Sequence, residues 1–109
     1  MHPIARREVV IIDRNSNQEH RIAFEIMAPY AIDDGENFLC TARITGDIHT
    51  SSEVGGVDSL QALMLAIQCL EMQFEEMKKS QYDFFWPDTS NPMRSFDLVS
   101  EDIQRLYET

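Results

Sequence analysis

Three histidines, two cysteines and nineteen acidic side chains are the groups from which this chain could assemble chemistry. His2 sits near the start, His20 opens an alternating run, and His49 falls in the polar stretch Ile48-His49-Thr50-Ser51-Ser52. None stands three or four places from another His, Cys or acid on an expected helix, so no zinc-type ligand pair can be drawn. All three read as surface or capping histidines. Cys40 and Cys69 follow no metal or redox spacing. The first lies in an apolar alternating run and the second in a helical one, so both read as small buried hydrophobes. The sequence has no Gly-x-Ser-x-Gly elbow, and Gly55-Gly56 is followed by neither a phosphate-loop Lys nor a dinucleotide fingerprint. Asp33, Asp34 and Glu36 offer hard oxygens but lack the ligand spacing of a calcium loop, and they read as a solvated turn. The expectation is therefore no catalytic residue, no metal and no cofactor.

Carboxylates outnumber every other reactive group. Lys plus Arg is 9 against 19 for Asp plus Glu, a formal charge of −10. That balance argues against nucleic-acid binding, which needs clustered cations to displace phosphate counterions. Glu71, Glu75 and Glu76, with Asp83 nearby, make a negative strip. Such a strip is either a solvated face or a docking surface for a basic partner, whose approach it would steer. Phe85 belongs with it if it is exposed, because clustered exposed aromatics mark interfaces. The competing arrangement is a small-molecule or enzyme pocket between sheet and helix near Arg43, His49 and Asp58. No apolar run approaches the roughly 18–20 residues that cross a bilayer, and residues 1–7 lack the apolar segment of a signal peptide. A cytoplasmic protein, without membrane or nucleic-acid partners, is expected.

The elements that must position these groups follow from periodicity. At 109 residues and 43% hydrophobic content, a single α+β domain spanning 1–109 with one modest core is feasible. Val9-Val10-Ile11-Ile12 is a β-branched run, and Ile22, Phe24 and Ile26 alternate with Arg21, Ala23 and Glu25. With Asn and Ser in the 13–18 turn between them, the two should form a hairpin. Pro29 closes the second strand. Phe38, Cys40, Ala42 and Ile44 make a third strand, and 48–52 reads as a fourth, on an edge through which a second copy could pair. Gly55-Gly56 reads as a flexible lead into a helix.

That helix is the clearest element. Asp58 is a good N-cap, Gln61 can return a bond to the backbone, and no Gly or Pro interrupts residues 59–79. Leu60, Leu63, Met64, Ile67, Leu70, Phe74 and Met77 follow i, i+3, i+4 spacing and are expected to form the buried stripe, widened by Leu65, Cys69 and Met72. Gln61, Gln68, Glu71, Glu75 and Lys79 fall on the wet side. Tyr82 to Trp86 reads as a fifth strand stopped by Pro87, and Ser100 can cap a short last helix with Ile103, Leu106 and Tyr107 on one face. The expected fold is an antiparallel sheet of four to five strands, one long helix across one face, and a short C-terminal helix.

Gly56-Val57-Asp58-Ser59-Leu60-Gln61-Ala62-Leu63, leading into a long helix and an aromatic strand, resembles a family of small uncharacterised bacterial proteins. Its members run through a strand meander, a Gly-x-Asp-Ser-x-Gln-Ala-Leu helix start and a short aromatic strand. The resemblance covers about residues 38–87 and implies the fold alone, since no activity comes with it. The segment 87–92 departs from it in lacking the expected glycine. A more distant likeness, in strand-strand-strand-helix-strand order, is to antitoxin domains. The combined expectation is a non-catalytic interaction domain that binds a basic protein or a second copy of itself, immunity- or antitoxin-like at its sharpest.

Overall fold

The computed structural model describes residues 2–88 and 91–96. β1 (Ala5–Asp13) and β2 (Glu19–Ile26) form the expected hairpin, in register from Ala5↔Ile26 to Ile12↔Glu19. Its turn is held by the Asp13 carboxylate, which accepts from the Asn15 amide at 2.8 Å, and by Asn17 at φ 61°. Asn tolerates that left-handed conformation because its short polar side chain can bond locally. A short β3 (Tyr30–Ile32) follows, then a 3₁₀ turn at Asp33–Gly35, β4 (Asn37–Gly46) and β5 (Thr50–Gly56). α1 (Ser59–Ser80) leads directly into β6 (Tyr82–Phe85).

All pairings are antiparallel, and six strands are present rather than four or five. The additional one, β3, extends β2 along the same edge of β4. Ile26 faces Ala42 and the Met27 amide bonds the Thr41 carbonyl, but Tyr30 faces Leu39, one residue out of step. The surplus residue falls at Ala28-Pro29, where Pro29 has no amide to give the ladder. Across its width the sheet therefore runs β5, β4, β2 with β3, β1, β6. The chain meanders through the first five strands, and α1 carries it from the β5 edge to the β1 edge.

The fourth major strand lies further along than its composition suggests. Ile48 and His49 belong to the turn, and the strand extends through Gly55 and Gly56. Gly56 is there because α1 passes directly over it. A Cβ at that position would lie 2.5 Å from the Ala62 backbone nitrogen. The same close approach decides which side of α1 is buried. Ala62, Ala66, Leu70 and Phe74 face the sheet, with Leu63, Cys69 and Met77 partly covered beside them. Leu60, Met64, Leu65, Ile67 and Met72, expected in the core, are exposed. The short alanine side chains let the first half of the helix sink onto β4 and β5. The larger apolar residues are left on its flanks.

Beneath α1 lie Val9, Ile11, Ile22, Phe24, Ile26, Cys40, Ala42, Ile44 and Phe84, all buried. Tyr82 and Trp86 pack at the margin of this core, on the same side as Phe84. Phe24, Phe74, Phe84 and Phe96 form an aromatic nest, with centroids 4.5 to 6.4 Å apart and mostly tilted planes. Beyond β6, the chain turns back and bonds it again. Trp86 donates to the Asn91 carbonyl at 3.1 Å and Met93 to the Phe84 carbonyl at 2.8 Å, which buries Met93 in the core. The expected C-terminal helix lies outside the described residues.

Candidate functional site

The helix start is built as its sequence requires. The Asp58 carboxylate accepts from the Gln61 amide at 2.7 Å, and the Gln61 side-chain oxygen accepts from the Val57 amide at 2.8 Å. The reciprocal bond thus reaches one residue beyond the N-cap. Asp58 and Gln61 are accounted for as structural caps.

From this anchored start, α1 presents two exposed flanks. Leu60, Met64 and Ile67 are 64%, 52% and 41% exposed and share one flank, of which Ile67 borders Arg7 of β1 and Phe24 and Ile26 of β2. Glu71 and Glu75 continue that flank toward the C-terminus. Leu65 and Met72, 36% and 65% exposed, lie on the other flank, toward β5. Glu76 also lies on that side, near Thr50, Gln73 and Tyr82. The three glutamates are all solvent-exposed, so the negative strip divides across the crest of the helix instead of forming one line. A hollow of about 940 Å³ follows this crest and is lined by α1 residues alone, among them Glu71, Met72, Glu75 and Glu76. One helix cannot enclose a ligand, so this is a face rather than a pocket.

Phe85 is not part of that face. It is half-buried opposite Val10 and bridged by Pro92, on the side of the sheet away from α1. Arg43, His49 and Asp58 do not converge either. Arg43 projects from the open side of the sheet, whereas His49 and Asp58 flank opposite ends of β5. At about 3.3 Å per residue, seven strand residues hold those ends roughly 20 Å apart.

A cluster that periodicity alone does not reveal occupies the open side. Register sets Arg6, Glu25 and Arg43 in one row across β1, β2 and β4. Arg6 Nε donates to Glu25 Oε2 at 2.8 Å and Arg43 Nε to Glu25 Oε1 at 2.6 Å, while Arg6 also contacts Glu8. Among the described residues, Glu25 is the one buried charge, at 6% exposure. Burial pushes its carboxyl up, but the two guanidinium bonds together outweigh this and hold it below the usual carboxylate range. Both oxygens are occupied by structural partners, so the carboxylate is unsuited to acid–base work. Alternation puts Glu25 opposite the core, but only the register with β1 and β4 brings Arg6 and Arg43 to it.

Elsewhere, burial raises the Cys40 thiol, which donates to the Met27 carbonyl at 3.3 Å. The Tyr30 hydroxyl donates to Glu53 at 2.8 Å, and this bond raises its pKa. Arg7 lies 5.3 Å from the Trp86 ring centre and 5.4 Å from that of Phe96, and it donates to the Phe96 carbonyl. Among the described residues, no group of three or more His, Cys, Asp or Glu is placed to hold a metal ion. Nor is any helix among them long and apolar enough to cross a membrane.

The fold and its surface define a small α+β domain: a meandering antiparallel sheet with one helix seated on it. Residues 5–95 match the domain of unknown function DUF6968, and the chain belongs to that family. No curated protein and no solved structure matches it.

Proposed function

We propose that this chain is a non-catalytic interaction domain whose docking face is the flank of α1 carrying Leu60, Met64 and Ile67, continued by Glu71 and Glu75. The observation that carries this reading is the exposure of three large apolar side chains on consecutive turns of a rigid helix. Scattered exposed apolar residues are ordinary, but a contiguous stripe bordered by charge is the composition of an interface. The partner fitted by this face is a basic protein, with an apolar anchor for the stripe and cations for the two glutamates. A net charge of −10 would steer such a partner from a distance. An immunity- or antitoxin-like role, in which an acidic domain occupies a basic surface, is the most specific form of the reading.

A photo-crosslinking residue at position 64 in the native cell tests it, with one at position 18 as control. The reading expects one heterologous, basic protein to be trapped at 64 and not at 18. With that partner purified, Glu71→Lys/Glu75→Lys should slow association at least tenfold at low salt and flatten its salt dependence. Trapping only a second copy of this chain, or association unaffected by the charge reversal, would overturn it.

A further inference from the structure

The two outer edges of the sheet are treated differently. Beyond β6 the edge is occupied by the returning chain, through the Trp86–Asn91 and Met93–Phe84 bonds and the bridge at Pro92. β5 pairs with β4 alone among the described residues. It carries no Pro or Lys, the residues that usually blunt an edge, and its one charged side chain, Glu53, bonds to Tyr30. The flank of α1 above this edge is the one with exposed Leu65 and Met72. We propose that two copies of this chain associate through β5, pairing antiparallel across a twofold axis while their α1 helices pack along the Leu65–Met72 flank.

Three independent features of the geometry agree on this occupant. The first is spacing. Over the length of β5, from Gly56 under Ala62 to Thr50 beside Gln73, α1 rides equally over β4 and β5, and its last turns then cross toward β6 and away from this edge. Strands lie about 4.8 Å apart, so an axis half a spacing beyond β5 is about 4.8 Å from the line of α1. The two helices then lie roughly 10 Å apart, the distance at which helices pack. The second is register. An axis through Glu53 would set that carboxylate against its own copy, whereas one through Ser52 sets Ser51 opposite Glu53 and Thr50 opposite Val54.

The third is the position of the same axis along α1. Gly56 lies under Ala62 and the Thr50 hydroxyl meets Gln73 at 3.5 Å, so Ser52 lies under roughly residue 69 by the rises of strand and helix. An antiparallel helix pair centred there brings Leu65 against Met72 of the second copy. It also brings Gln61 toward Glu76 and Asp58 toward Lys79, opposite charges at both ends of the seam. The edge that avoids the glutamate clash is therefore also the one that matches the helices. This association leaves the Leu60–Ile67 flank free and does not depend on the docking role given to it.

Sedimentation equilibrium of the intact chain at about 100 μM, well above a micromolar dissociation constant, should give twice the single-chain mass of 12.6 kDa. Leu65→Lys/Met72→Lys should return it to the single-chain mass with its circular dichroism unchanged, since both positions are exposed. Glu71→Lys/Glu75→Lys should remain dimeric. In a Cys69→Ala background, Ser51→Cys/Glu53→Cys should form a disulfide-linked dimer under mild oxidation, and Ser51→Cys alone should not, because only the pair is cross-strand neighbours in this register. A single-chain mass for the unmodified protein, or a dimer untouched by Leu65→Lys/Met72→Lys and uncrosslinked at 51 and 53, would overturn the proposal.

Discussion

Replacing Glu25 by Gln removes a charge from a nearly closed site while keeping its shape. In the native protein each carboxylate oxygen takes one guanidinium bond, at 2.8 Å from Arg6 and 2.6 Å from Arg43. The amide can still accept from one arginine but must turn an N–H₂ group toward the other. A hydrogen bond to a charged group contributes about 1.5–3 kcal/mol, and breaking a fully buried ion pair costs about 3–5 kcal/mol. The arginine side chains are 46% and 30% exposed, so both recover part of their hydration and the cost falls toward the lower range. A destabilisation of about 2 kcal/mol follows, which for a domain of this size lowers Tm by about 8–16 °C.

The pH dependence separates this account from simple misfit. Glu25 has its carboxyl held below its ordinary value of 4.5, so its ionisation stabilises the folded state above that value. That contribution is lost as the pH falls through the lower, folded value. Thermal melts of the wild type and Glu25→Gln, followed by circular dichroism, should show the full gap at pH 7. The gap should narrow as the pH falls below 4.5 and close once Glu25 is protonated in the folded wild type. Arg43→Met should cost less, because Arg6 stays on the carboxylate. A gap below about 0.5 kcal/mol at pH 7, or one that does not change with pH, would show that the row contributes no net charge-pair stability.

Four further positions test the packing. Gly56→Ala should cost more than about 2 kcal/mol in urea unfolding, because its Cβ would meet the Ala62 backbone at 2.5 Å and overpacking forces backbone shifts. At Gly35 an added Cβ meets nothing within 4 Å, so only the strain of φ +88° remains and Gly35→Ala should cost about 1–2 kcal/mol. Asp58→Ala should cost about 1 kcal/mol by freeing the Gln61 amide, with Asp58→Asn recovering most of it as measured by urea melts. Phe74→Ala removes the ring that touches Phe24, Phe84 and Phe96, and should cost about 3–5 kcal/mol by the same assay.

Where a local rule leaves one solution, the sequence was sufficient. Asp58 and Gln61 could satisfy the first free amides of α1 from their own positions, and they do. The alternation from Ile22 to Ile26 admits one assignment of faces, and the hairpin turn is written in Asp13 and Asn17. β3 was hidden because Pro29 signals a stop, whereas here it marks a one-residue slip within a longer edge. The end of β5 was hidden for the opposite reason. Two glycines advertise freedom, and the need they meet is the absence of side chains under a helix.

The rotation of α1 shows most clearly why periodicity could not locate the candidate face. Apolar residues occur nearly all around its first half, so spacing alone permits several buried stripes. Hydrophobicity favours the one that runs through Leu60, Met64 and Ile67 to Leu70 and Phe74, of which only the last two are buried. Contact distance favours Ala62, Ala66, Leu70 and Phe74, because small residues bring the helix backbone down to Gly56 and widen toward the aromatic nest at β6. The two criteria are separable in the sequence only when the partner strand is read together with the helix: an Ala-x-x-x-Ala line matters once glycines lie across from it. The exposed flanks follow from that choice. A helix seated by alanines leaves Leu60, Met64, Leu65, Ile67 and Met72 outside, and those are the side chains a second protein can meet.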